Sequence, residues 1–230
     1  PKEINTFKIL NMKQNKGHAR CNAFGIRYII KNEQFDNIIL MDGDGEDRPE
    51  EINELIKKII ENPNSSVVAK RIKRSEGFYF QFLYFMHKLI TLFFTGKKIN
   101  FGNYSCLTKK DAEKISSKAS LWSSYSGTIK KNLQNLSEVD SIRGTRYFGP
   151  SQMSLFKLLI HSFSIMAVFK YQVFTRSVLI IFTLSFLIEF LGQALIFLQI
   201  LIVFFNLIIF LVSLREKKSE LLNSQENLKN

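Results

Sequence analysis

The stretch from Ser177 to Leu214 carries a single charge, Glu189, and constrains the fold more than any other part of the chain. As one helix it would be about twice as long as a bilayer core requires. It therefore reads as two transmembrane helices, residues 177–214, turning near Gly192-Gln193. Lys170 and Arg176 precede the stretch and Arg215, Lys217 and Lys218 follow it, so both ends favour the cytoplasmic side. Glu189 then falls near the far interface, where a charge costs little. Upstream, from Leu155 to Tyr171, apolar residues recur around Lys157, His161 and Lys170. That is the pattern of an amphipathic helix lying in the interface, within residues 151–176. Residues 215–230 form a cytoplasmic tail on this topology, and their polarity from Ser219 onward predicts disorder. The expected location is a cell (inner) membrane, multi-pass, with the soluble part in the cytoplasm.

The remaining residues, 1–150, have the mixed pattern of a soluble α/β domain, so an average hydrophobic content of 46% describes neither part. The net charge of +12 suits a surface held against anionic lipid or a phosphate-bearing substrate. Nucleic acid is disfavoured as a partner, because zinc-ligand spacing, an aromatic RNA-binding signature and a basic recognition helix are all missing. Cys21 and Cys106 are far apart in sequence and read as reduced core residues. The chain opens on Pro1 with no signal peptide, and a natural start upstream is expected.

Within this domain Ile38-Ile39-Leu40-Met41 reads as a buried strand that runs into Asp42, Asp44 and Asp47. Pro49 then opens a helix with Ile52, Leu55, Ile56, Ile59 and Ile60 on one face. Ligands bind at the carboxyl ends of strands in an open α/β sheet. If the strand stays extended, Asp42 and Asp44 point to one side, with Gly43 between them leaving room for a cation. Mg2+ or Mn2+ carrying a diphosphate is the natural occupant. A simpler reading has Asp47 cap the helix while Glu50 and Glu51 favour its positive end, but that leaves Asp42 and Asp44 unexplained. A calcium loop fails, since its sixth and twelfth positions hold Asp47 and Asn53.

Other segments frame this one. Phe7-Lys8-Ile9-Leu10 is a plausible strand, and Asn15 to about Ile30 reads as a turn followed by a helix. Val67-Val68-Ala69 is a short strand ending in the basic run Lys70 to Arg74. Phe78 to Phe94 is aromatic but interrupted by His87 and Lys88, which suits a helix on the membrane or under the domain better than a span. Lys109 to Ile115 and Leu121 to Asn132 read as helices, with Trp122 and Tyr125 as packing residues. A strand near Val139 leads into Arg143, Arg146 and the turn Gly149-Pro150.

Taken together, these segments resemble the family 2 glycosyltransferases, in particular the branch of dolichol-phosphate-mannose synthase and the bacterial polyprenyl-phosphate glycosyltransferases. Asp42, Asp44, Asp47, Pro49 and Glu50 reproduce an Asp-x-Asp-x-x-Asp-x-Pro-Glu pattern. The segment from Asn15 to Ile26, with Asn15 and Gly17 at its start, resembles the element that lines the nucleotide-sugar pocket. Arg71 stands at the arginine of a Gly-Ser-Arg strand end. Arg146, Gly149, Ser151 and Met153 match a segment that meets the acceptor phosphate and the diphosphate, with Gln152 where lysine is usual. The segment from Gly96 to Thr108 resembles the acceptor-facing strand, with Asn100 and Asn103 where an aspartate often precedes the glycine.

The resemblance implies an α/β fold: a GT-A-like nucleotide-binding domain lacking its first strands, then an interfacial helix and a transmembrane helical hairpin. Those first strands, with the acidic residue that grips base and ribose, would precede Phe7. The chain is thus expected to be N-terminally truncated and by itself weakly active or inactive. The implied activity is inverting transfer of a sugar from a nucleotide sugar to a polyprenyl (dolichyl or undecaprenyl) phosphate. Asp42 and Asp44 would bind the metal. Asp42, Asp44, Asp47, Arg71 and Arg146 would form the catalytic set. Asn15, Gly17, Asp42 and Arg71 would face the donor, and Arg146, Ser151 and Gln152 the acceptor. Self-association into a homo-oligomer is compatible with this reading. Two alternatives are a non-catalytic membrane-bound relative acting as scaffold or partner, and a transferase with a hydroxyl acceptor.

Overall fold

The computed structural model describes residues 5–73, 78–149 and 154–229. Its soluble part contains α1 (His18–Asn32), β1 (Asn37–Leu40), α2 (Ile52–Glu61), β2 (Ser66–Lys73), α3 (Phe78–Thr95) and β3 (Phe101–Thr108). These are followed by α4 (Lys109–Ser116), α5 (Tyr125–Asn132) and β4 (Leu136–Ile142). The apolar part contains α6 (Leu155–Ala167), α7 (Lys170–Leu191) and α8 (Ala194–Ser213), and α9 (Lys218–Leu222) closes the chain.

The strands form one sheet in the order β1-β3-β2-β4. β3 runs antiparallel to both β1 and β2, and β2 runs parallel to β4, so β1, β2 and β4 all point the same way. Alternation along the strands sorts the apolar side chains onto two faces. Ile38, Leu40, Val68, Phe101 and Leu107 pack with Ala23, Ile26, Ile115, Trp122 and Tyr125 from the helices on one face. Val67, Ala69, Tyr104 and Cys106 pack against Leu55 and Ile59 of α2 on the other. α2 buries only part of the expected apolar face, since Ile56 and Ile60 are exposed.

α4 and α5 begin where their sequence provides caps. The Thr108 hydroxyl accepts from Asp111 N, and the Ser124 hydroxyl accepts from Gly127 N. By contrast, Phe7-Lys8-Ile9-Leu10 is not a strand: Phe7 and Ile9 are exposed, and the segment has no ladder partner among the described residues. Cys21 is exposed on α1 rather than in the core. Cys106 is buried, and burial pushes its thiol up to about 11.

α7 and α8 are long and apolar enough to cross a bilayer, and only 11% of each apolar window is buried against the protein, unlike a core helix. They meet at Gly192-Gln193 as an antiparallel pair. The Gln199 carboxamide donates to Ile181 O (3.2 Å) and to the Ser185 hydroxyl (2.8 Å). Near the open end Lys170 pairs with Glu216 at 3.4 Å. The helix expected to precede the hairpin is shorter than its sequence pattern: α6 ends at Ala167, and Lys170 and Arg176 already belong to α7.

The expected disorder of the tail is overturned. Leu221 is fully buried in the core beside Trp122, whose indole N–H donates to Glu220 at 3.0 Å. Arg27 donates to Leu222 O at 3.1 Å, Lys13 N to Asn227 O at 2.7 Å, and Lys229 N to Asn11 O at 2.8 Å. Composition suggested a solvated tail, but one leucine and a set of backbone hydrogen bonds fix it to α1 and the segment before it.

Candidate active site

Because β1, β2 and β4 are parallel, their carboxyl ends share one edge of the sheet, and each delivers a functional group there. β1 delivers the acidic segment from Asp42 to Asp47. β2 delivers Arg71 near its end, and the chain after β4 delivers Arg143 and Arg146.

The acidic segment is a turn, not an extension of the strand. β1 stops at Leu40, so the period-two argument for Asp42 and Asp44 does not hold. The Asp44 carboxylate accepts from Glu46 N at 3.0 Å, a local bond that competes with extended backbone. Gly45 completes the turn at φ +91, a conformation that L side chains rarely adopt. Asp42 is oriented separately, accepting from the Asn103 carboxamide of β3 at 3.2 Å.

Asp47 is only 4% exposed and does not cap the following helix. Its carboxylate instead accepts from Asp42 N (2.9 Å) and faces the Arg71 guanidinium at 3.7 Å. Burial raises its pKa, and the neighbouring Asp42 and Asp44 charges add to the rise, whereas the Asp42 N–H bond and Arg71 oppose it. Beside it the Tyr104 hydroxyl, pushed up to about 12 chiefly by burial, donates to Arg48 O at 2.8 Å and ties the end of the acidic turn to β3.

The segment after β4 is fastened to this turn. Gly144 N donates to Glu46 O and Tyr147 N to Asp44 O, both at 2.9 Å. Backbone meets backbone so closely that a Cβ at Gly144 would lie 2.5 Å from Gly45 O. Arg146 grips Glu46 with two parallel bonds, Nε to Oε1 at 3.0 Å and Nη2 to Oε2 at 3.2 Å. Its remaining Nη1 lies 3.0 Å from Asp44 Oδ2. Arg143 also pairs with Glu46, and burial followed by the nearby Arg146 charge lowers its pKa.

A family model described as glycosyl transferase family 2 matches residues 2–121, which include the acidic turn, Arg71 and Asn103. The chain belongs to that family. No curated protein matches it.

In this family 2 glycosyltransferase, Arg71 pairs with Asp47, which Asp42 bonds through its N–H, and Arg146 pairs with Asp44 and Glu46 in the same acidic turn. Asn15 and Gly17 lie apart from it, at the start of α1, where the Asn15 carboxamide accepts from Gly17 N at 3.0 Å. His161 of α6 stands beside the start of α1. Its ring lies 5.2 Å from that of His18, next to Gly17. Its pKa falls to about 4, through burial first and then the influence of His18, His87 and Arg71. Ser151, Gln152 and Met153 lie outside the described residues, as does Arg74.

The donor set of Asp42 and Asp44 suits Mg2+ or Mn2+: hard carboxylate oxygens, two in number, as when such ions are shared with substrate phosphates. Among the described residues no group of three or more His, Cys, Asp or Glu is arranged to hold an ion by protein ligands alone. Sequence reasoning passed over Glu46 and His161 as site groups and named Arg143 without a role. The visible signal for Glu46 was an acid in the middle of an acidic turn, with two arginines flanking Gly144 as its partners.

Proposed function

We propose that this glycosyltransferase is membrane-anchored and moves a sugar from a nucleotide-sugar donor to a polyprenyl phosphate with inversion at the sugar carbon. The observation that carries the reading is the convergence of Asp42, Asp44, Arg71 and Arg146 at one edge of the sheet, in a chain that also bears an apolar helical hairpin. A phosphate oxygen of the acceptor attacks the anomeric carbon, the bond from that carbon to the donor diphosphate breaks, and the nucleoside diphosphate departs with the electron pair. An acceptor phosphate is already ionised near neutral pH, so this step needs no strong general base. That agrees with asparagine at positions 100 and 103. A Mg2+ or Mn2+ ion at Asp42 and Asp44 would neutralise charge on the leaving diphosphate.

In the same proposal Arg71 and Arg146 are the cations for the donor and acceptor phosphates, Asn15 and Gly17 line the donor side, and Ser151 and Gln152 face the acceptor. The lipid reaches the site from α6, with α7 and α8 as the anchor and the sheet on the cytoplasmic side.

The test is nucleotide release in detergent from a panel of nucleotide sugars, with Mn2+ or Mg2+ and with or without polyprenyl phosphate, using protein that includes any coding sequence upstream of Pro1. Lipid-dependent release that Asp44→Asn abolishes supports the proposal. Release that ignores the lipid points to a hydroxyl acceptor, and no release from a folded, metal-binding protein points to a non-catalytic relative.

A further inference from the structure

Each oxygen of the Asp44 carboxylate already has a partner. One accepts Glu46 N, and the other faces the Arg146 guanidinium at 3.0 Å. Arg146 therefore holds a position that a divalent cation bound at Asp44 would have to contest. The same guanidinium is anchored independently of Asp44, through its two bonds to Glu46. Glu46 in turn is fixed by its own backbone, whose carbonyl accepts Gly144 N. Losing the contact to Asp44 would thus leave Arg146 in place.

We infer that Arg146 is an internal counter-ion that occupies Asp44 until a divalent cation takes it, and that Glu46 is the positioning residue that keeps Arg146 at the site after the exchange. The inference rests on the proposed metal role of Asp44 and adds the order of events to it. Before the ion arrives, the carboxylate is neutralised from within. Afterwards the displaced Nη1 is turned loose beside the ion, where an incoming phosphate would meet it, while Nε and Nη2 stay on Glu46. Arg143 provides the comparison that separates a specific contact from general charge. It carries the same charge, pairs with the same Glu46 and feels the charges of Asp44 and Asp42, so it measures the general-charge part of the effect against the 3.0 Å contact of Arg146.

The experiment is titration of Mn2+ alone, without nucleotide or lipid, into the purified protein, with free Mn2+ followed by electron paramagnetic resonance. Arg146→Gln is expected to bind Mn2+ about three- to ten-fold more tightly than wild type, and Arg143→Gln to change affinity less than about two-fold. Glu46→Gln is expected to weaken binding in the wild-type background, because Arg146 loses its anchor and leans on Asp44. The same substitution is expected to have little effect beside Arg146→Gln, since Glu46 acts through Arg146.

Equal gains from Arg146→Gln and Arg143→Gln would overturn the counter-ion role. An effect of Glu46→Gln that is the same in both backgrounds would overturn the positioning role. Wild type and Arg146→Gln that both fail to bind Mn2+ would also overturn the inference. Asp44→Asn separates this from the underlying metal assignment, because Mn2+ affinity that survives the substitution removes Asp44 as a ligand. Far-ultraviolet circular dichroism matching wild type is required of each variant, and Arg146→Lys gives a second, charge-retaining measure that stays near the wild-type affinity.

Discussion

Arg71 lies across Gly102, its guanidinium filling the space that a side chain there would need: a Cβ at position 102 would stand 2.9 Å from Nη2 and 3.2 Å from Cζ. The contact is with the far end of a flexible side chain, so Gly102→Ala is expected to move Arg71 rather than unfold β3. The melting temperature should stay close to wild type while affinity for a nucleoside diphosphate falls about ten-fold, the loss of one charge-assisted contact. Calorimetric titration beside a thermal melt checks both halves. Unchanged affinity would remove Arg71 from the phosphate site.

Asp47 supports both Asp42 and Arg71 in this geometry. Asp47→Ala removes the acceptor for Asp42 N and leaves the Arg71 guanidinium, only 18% exposed at its side chain, without that partner. The expected cost is about 1–3 kcal/mol of stability. Denaturant melts in detergent measure it, and a variant as stable as wild type would mean that solvent or a neighbour replaces both contacts.

His161 gives the fold a dependence on acidity. Its pKa is pushed down from 6.5 to about 4, so between those values the unfolded chain takes up a proton that the folded protein refuses. The stability contributed by neutral His161 is complete above the unfolded pKa and is lost as pH falls toward the folded one. The groups that press on it are His18 of α1, His87 of α3 and Arg71 of β2. Thermal melts from about pH 7.5 to about pH 4.5 should fall more steeply for wild type than for His161→Asn. Parallel curves would count against the assignment.

Leu221 is fully buried, and Leu221→Ala is expected to cost about 2–5 kcal/mol, as for other large-to-small core changes. Leu222, next to it and 42% exposed, should tolerate alanine with little effect. A pair of melts compares them, and equal small losses would show that the tail is not part of the core in solution.

Much of the fold could be read from local pattern. The apolar run before Asp42 and the nearly uncharged stretch beyond Arg176 each depend on a few adjacent residues, and each has an element where the pattern put one. The failures share a different cause. Phe7 to Leu10 alternates like a strand but has no ladder partner among the described residues, and ladder hydrogen bonds are what turn alternation into a strand. The tail looks solvated because one leucine, a few polar side-chain contacts and backbone groups hold it, and none of these makes an apolar pattern. Glu46 looked like one more acid in an acidic turn. Its meaning comes from Arg143 and Arg146, about a hundred positions away, and charge pairing across such a separation leaves no periodicity to detect.

The docked tail bears on the proposed membrane topology. A chain that leaves the sheet at β4, runs out along α7, returns along α8 and is then stitched back onto α1 brings both ends of its hairpin back to the sheet domain. If α7 and α8 span a bilayer as proposed, inserting one of them without the other would tear Leu221 from its seat. On that proposal, a fluorescent or protease-sensitive reporter placed beyond the docked tail shares the compartment of the sheet domain, with no need to label the sheet itself.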